Sequence, residues 1–245
     1  MGELIAFLSG KGGTGKTSVC AGVATALARA GERVLCIDCD IGLRNLDIAL
    51  GLADRGALSF LDICEGRYRL DQAVAHPHFP SLFFLTAPVN RSPAQINPAD
   101  FSRMLQQARS SFQYILLDAP AGVDTGFQLT AAPADRIVLV TGPDPAAIRD
   151  ASRAGDLLEL MGKTSIRLVV NRVHPKMVTT MNLTIDDIMD KAGLPLLGIV
   201  PEDPNVTLSA SFGVPLLEYG KRGASAACRR IAKRIQGMPV PITIR

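Results

Sequence analysis

The run Gly10-Lys11-Gly12-Gly13-Thr14-Gly15-Lys16-Thr17 has the spacing G-x-x-x-x-G-K-[ST]. Such a run binds phosphate when a strand precedes it and a helix follows. Its glycines let successive backbone N–H groups point into one concavity, and the helix adds its positive N-terminal end. Lys16 supplies charge for β- and γ-phosphates, and the Thr17 hydroxyl is a ligand for Mg²⁺. Gly12, Gly13, Thr14, Gly15 and Ser18 complete the expected cradle. Three acids extend the chemistry from phosphate binding to phosphoryl transfer. Tyr114-Ile115-Leu116-Leu117-Asp118 is a mostly apolar run closed by an acid. Asp118 is expected to hold Mg²⁺ through water, because Mg²⁺ keeps much of its hydration. Asp38 and Asp40 close an earlier apolar run. Asp40 is expected beside the metal, orienting the attacking water, since phosphoryl transfer needs positioning and charge neutralisation more than a strong base.

One fold must deliver these groups to one place. Apolar, β-branched-rich runs occur at Leu4–Leu8, Arg33–Ile37, Leu82–Thr86, Tyr114–Leu117, Arg136–Val140, Ile166–Val170 and Leu196–Val200. Helix-like segments lie between them at Lys16–Ala30, Leu58–Cys64, Pro98–Ser110, Pro145–Leu160, Thr184–Ala192 and Gly223–Ile235. Near-continuous apolar strands alternating with helices predict an α/β fold, a mainly parallel sheet covered by helices on both faces. Right-handed crossovers then bring the loops after the strands to one edge, where ligands bind.

The chain has 245 residues, 47% of them hydrophobic, and a formal net charge of +3. That length and composition suit one large domain, read as residues 1–236, with a short tail over 237–245. The charge does not demand a nucleic-acid partner. No apolar run reaches the ~18–20 residues of a membrane span, and the chain enters its first strand at Leu4, leaving no room for a signal peptide. A cytoplasmic location is the expectation. Cys36-Ile37-Asp38-Cys39 is formally C-x-x-C, but on a strand an odd offset sends the two side chains to opposite faces. Buried reduced thiols are expected there rather than a redox pair or metal site.

The P-loop, with its second lysine at Lys11, resembles the deviant Walker A motif of the MinD/ParA ATPases. Asp38-Cys39-Asp40-Ile41-Gly42-Leu43-Arg44-Asn45-Leu46-Asp47 is similar to the first switch loop of that family's MinD branch. Asp118-Ala119-Pro120-Ala121-Gly122-Val123-Asp124-Thr125-Gly126 is similar to its second. The likeness implies a P-loop ATPase that uses ATP and Mg²⁺, forms an ATP-dependent homodimer and serves septum-site selection in cell division. It implies that Lys11 reaches the partner subunit's phosphates, a catalytic role in trans. It implies that Asn171 and Arg172 recognise adenine, with Pro201, Glu202 and Asp203 completing that wall. It implies that Arg149 and Asp150 stand where inhibitor and activator proteins of the Min type bind.

Membrane association is possible by family. Here Gly237-Met238-Pro239-Val240-Pro241-Ile242-Thr243-Ile244-Arg245 carries two prolines in nine residues, so this stretch supplies no helical anchor. A ParA-like partition ATPase is one alternative, with Lys221, Arg222, Arg229, Arg230, Lys233 and Arg234 offered to DNA phosphates. Against it, Ala224, Cys228, Ile231 and Ile235 give the same helix an ordinary core stripe, and DNA is not the expected partner. A flagellar-number relative of the MinD branch is another alternative. A metal-cluster carrier of the related Mrp kind is disfavoured, since those usually depend on a cysteine pair in the C-terminal third and only Cys228 stands there.

Overall fold

Strands whose side chains alternate between two buried faces need apolar residues at nearly every position. In the computed structural model, which describes all residues except 54, 90, 175–182 and 244–245, seven of eight described strands meet that need. The eight are β1 (Glu3–Leu8), β2 (Val34–Asp38), β3 (Val74–Ala75), β4 (Leu82–Leu85), β5 (Tyr114–Asp118), β6 (Arg136–Thr141), β7 (Ile166–Val173) and β8 (Leu196–Pro201), the exposed two-residue β3 being the exception. They form one sheet in the order β3-β4-β2-β5-β1-β6-β7-β8. Every pairing is parallel except β3 with β4.

The helices are α1 (Lys16–Arg29), α2 (Leu46–Ala49), α3 (Phe60–Cys64), α4 (Pro98–Ser111), α5 (Thr125–Ala131), α6 (Pro145–Leu160), α7 (Ile185–Ala192), α8 (Asn205–Ser211), α9 (Leu216–Tyr219) and α10 (Gly223–Ile235). The alternation along the strands divides the core between them. Leu4, Ala6 and Leu8 of β1 join Leu35, Ile37 and Leu117 under α4, α5, α6 and α7. Ile5 and Phe7 join Val34, Cys36 and Leu116 under α1 and α10. Cys36 and Cys39 accordingly lie in opposite cores, and all five cysteines are free thiols.

Helix α1 is buried along most of its length, as a helix wedged between a sheet and a second helix must be. Gly22 makes this possible, since a Cβ there would sit 2.5 Å from the Cys228 sulfur of α10. Strand β1 lies between β5 and β6. The connections leaving its two sides diverge, and the crevice at its carboxyl end is the place such sheets bind ligands.

The sequence reading and the structure differ in the shortest elements. β3 and the helices α2, α5, α8 and α9 have two to seven residues, too few to display a hydrophobic period. Asp38 and Asp118 close β2 and β5, as the sequence reading has them, whereas Asp40 lies two residues beyond β2. Asn171 and Arg172 lie inside β7, where the pairing with β8 is irregular between Val170 and Val173. Among the described residues no helix is long and apolar enough to cross a membrane.

Candidate active site

The loop from β1 to α1 supplies the cradle. Gly13 and Gly15 have φ of 81° and 82°, a region that favours glycine because it brings Cβ against the following carbonyl. Gly15 is the N-cap of α1 and offers no side-chain acceptor to the helix, so the first N–H groups of α1 stay available to an anion. The Thr14 hydroxyl is buried and has no hydrogen-bond partner among the described residues. A buried hydroxyl left so is costly, and a phosphate oxygen in the cradle would satisfy it.

Lys16 and Asp118 meet at the sheet edge, with Nζ 2.6 Å from Oδ1 and both side chains buried. Burial opposes the lysine charge, but Asp118 outweighs it and holds the ammonium above its usual range. The Thr17 hydroxyl accepts from Lys16 Nζ at 3.4 Å and favours the charged form of the Asp118 carboxyl beside it. Asp38 pairs in register with Asp118 across β2 and β5. Burial, reinforced by the Asp118 charge, pushes the Asp38 carboxyl up to about 7, against the bonds it accepts from Asp40 and Leu46 N–H. Asp40 follows on the loop, and its Oδ1 accepts from Gly42 N and Leu43 N, each at 3.3 Å. Asp118 and Asp40 thus both act on one ammonium, with Asp38 beside Asp118. That surplus of negative charge and hard oxygen, with the Thr17 hydroxyl, suits a divalent cation of the Mg²⁺ type. Among the described residues no cluster of three His, Cys, Asp or Glu could hold a metal by itself, as expected where a substrate's phosphates complete the coordination.

A cavity of about 330 Å³ opens beside the cradle. Gly15, Ser18, Asn171, Arg172, Pro201, Glu202 and Asp203 all line it, with Asn171 and Arg172 directly against Gly15. The base-side residues inferred from sequence therefore share one cavity with the P-loop. Asn171 is tied into it, because its amide nitrogen donates to the Thr14 carbonyl at 2.7 Å. Arg172 takes φ of 57°, rare for a side-chain-bearing residue. The Asp203 carboxylate accepts from Asn205 N and Ala224 N, both at 3.0 Å, and so fastens the starts of α8 and α10.

Lys11 points elsewhere. Its Nζ lies 3.0 Å from Asp144 Oδ1, in a pair about 35% and 50% exposed. Asp144 caps α6, accepting from Ala147 N, and was not singled out from sequence, although an acid before Pro145 is a helix-start signal. Arg149 is exposed and Asp150 half-buried on the first turns of α6. A Cβ at Gly10 would sit 2.2 Å from the Asp150 carbonyl oxygen, so the P-loop begins in close contact with that helix. The cations proposed for DNA are partly engaged within the chain. Arg229 donates to the Lys221 and Gly220 carbonyls, Arg230 to Thr243, and Arg234 to Leu197, Val240 and Pro241.

Residues 5–216 match the family described as the CobQ/CobB/MinD/ParA nucleotide binding domain. The chain is 39% identical over 244 residues to the septum site-determining protein MinD of Synechocystis, covering 98% of this chain and 92% of that protein. Its fold resembles the MinC:MinD cell division protein complex of Aquifex aeolicus, with a TM-score of 0.91 at 38% identity and 98% of each chain covered. It also resembles septum site-determining MinD of Pyrococcus horikoshii complexed with Mg-ADP, with a TM-score of 0.84 at 26% identity and 96% of each chain covered.

Proposed function

The chain belongs to the CobQ/CobB/MinD/ParA nucleotide-binding family and is a MinD-like ATPase of the septum-site-determining kind; we propose that it binds Mg-ATP in the cavity between Gly15 and Asp203, dimerises on it and hydrolyses it to control partner binding. One observation carries the reading: Gly15 of the P-loop lines a single cavity together with Asn171, Arg172 and Pro201–Asp203. Asn171 keeps its carbonyl and one N–H for the edge of adenine, which offers a donor beside an acceptor. Thr17, Asp40 and Asp118 are the metal ligands, Asp118 through water, and bound Mg²⁺ would supply charge neutralisation to the phosphates. The ammonium that Lys16 gives Asp118 is then shared with the β- and γ-phosphates. Asp40 orients the attacking water.

Lys11 acts in trans. Its contact with Asp144 is a half-exposed ion pair, worth little in water, so it is released at small cost to meet a partner's nucleotide. Residues 1–236 are the ATPase unit in this reading and 237–245 a tail. Arg149 and Asp150, on the helix that abuts the P-loop, receive Min-type partners, a MinC-like inhibitor among them. The nucleotide assignment is tested by thermal shift with Mg-ATP and Mg-GTP at equal subsaturating concentrations. Binding to the native state alone raises stability by mass action, so ATP is expected to give the larger shift. Equal shifts would contradict the adenine wall.

A further inference from the structure

Asp38 is fully buried at the carboxyl end of β2. Burying a carboxylate is expensive unless a cation or hydrogen bonds compensate it. The adjacent ammonium, that of Lys16, bonds Asp118 instead, and burial and the Asp118 charge dominate the Asp38 environment. What Asp38 has is two backbone donors. Its Oδ1 accepts from Asp40 N at 2.9 Å and its Oδ2 from Leu46 N at 3.1 Å. These donors stand at the two stems of the first switch loop, before and after Ile41-Gly42-Leu43-Arg44-Asn45. Inside that span Asp40 is anchored more loosely, through two 3.3 Å contacts to Gly42 and Leu43, and Arg44 takes φ of 49°.

We propose that Asp38 is a positioning residue for hydrolysis: by accepting the Asp40 and Leu46 N–H groups on its two oxygens, it clamps the stems of the switch loop and fixes where the Asp40 carboxylate points. The two acceptors are needed together. An amide of the same shape keeps one oxygen, but turns an N–H₂ donor toward the other N–H donor, so one stem is released. A residue needed only for stability would be better replaced by a neutral one, since an unpaired buried carboxylate is itself a liability. The proposal rests on the water-positioning role of Asp40, and Asp40→Ala is therefore measured alongside.

The experiment compares the parent protein, Asp38→Asn and Asp40→Ala by Mg-ATP affinity from a fluorescent ATP analogue and by single-turnover ATP hydrolysis. For Asp38→Asn the expected result is a Kd within about twofold of the parent and a hydrolysis rate at least about tenfold lower, the scale of loss that a slight misplacement of a catalytic group brings. A rate within about twofold of the parent, or a Kd that rises in step with the fall in rate, overturns the clamp. If Asp40→Ala hydrolyses normally, the role of Asp40 is wrong; if Asp40→Ala is inactive while Asp38→Asn is not, only the clamp is wrong. Should Asp38→Asn fail to fold, hydrogen exchange on the unaltered protein decides. The Asp40 and Leu46 amides are expected to exchange slowly in the absence of nucleotide, and free exchange at both overturns the clamp.

Discussion

At the residue scale, the proposed function assigns binding and turnover to different groups. Lys16 is buried against Asp118, so Lys16→Ala removes the cradle's charge and leaves a buried carboxylate unpaired. Asp40 lies after β2, outside the β1–α1 loop, so its loss is expected to leave the proposed phosphate contacts intact. Asp40→Ala is expected to retain Mg-ATP and lose about 100-fold in turnover, whereas Lys16→Ala loses both. Equilibrium binding beside steady-state hydrolysis checks this, and wild-type turnover in Asp40→Ala would remove it from the mechanism. The strand–loop–helix setting of the P-loop was legible because its glycines and lysine stand at fixed spacing between an apolar run and a helical one. The Asn171 bond to Thr14 was not, because it joins positions 157 apart in the chain and no local pattern encodes it. At the other end of the strands, Asp135 accepts from both Arg109 nitrogens at 2.7 and 2.8 Å and from Leu4 N at 2.8 Å. Burial would raise its pKa, but these bonds outweigh it and hold the carboxyl below its usual range. A depressed folded pKa contributes stability above the unfolded value, near 4, and loses it as pH falls through the folded one. Asp135→Asn is expected to lower stability by about 1 kcal/mol at pH 7, after allowing for solvent screening of the half-exposed ion pair. In urea titrations the difference should shrink below about pH 4; a difference independent of pH would contradict it.

At the element scale, the cradle is a three-way junction of loop, α1 and β7. Gly15 opens α1, and a Cβ added there would sit 2.2 Å from the Asn171 amide nitrogen. Gly15→Ala therefore meets both a left-handed backbone and an overlap, together about 3 kcal/mol. Removing the amide as well relieves the overlap but not the backbone cost. Melting of Gly15→Ala, Asn171→Ala and the double variant is expected to be non-additive, the double variant more stable than the sum of losses implies. Strict additivity would mean the two residues do not touch. The longer elements were legible in the sequence: the apolar runs became the seven longer strands, and Pro145–Leu160 is a helix with the expected bounds. α8 was not, because it is seven residues long and its start is fixed by the Asp203 carboxylate, which also holds α10. Its position depends on tertiary contacts rather than on its own periodicity.

At the scale of the whole molecule, the sheet order places β1 between β5 and β6, so the P-loop, both switch loops and the start of α6 share one edge. That edge also carries the exposed apolar side chains Leu43 and Val123 on the two switch loops, which a partner surface would cover. A two-fold dimer formed there would bring each Lys11 toward the other subunit's nucleotide. Among the described residues Lys11 is held on its own chain by the half-exposed Asp144, so ATP has little to displace. The most direct measurement is light scattering of Asp40→Ala, expected to retain nucleotide, with Mg-ATP and with Mg-ADP. The expected result is a dimer with ATP, a monomer with ADP, and a monomer with ATP once Lys11→Ala is added. A monomer in both nucleotides would contradict ATP-driven dimerisation, and a dimer indifferent to Lys11 would contradict its action in trans.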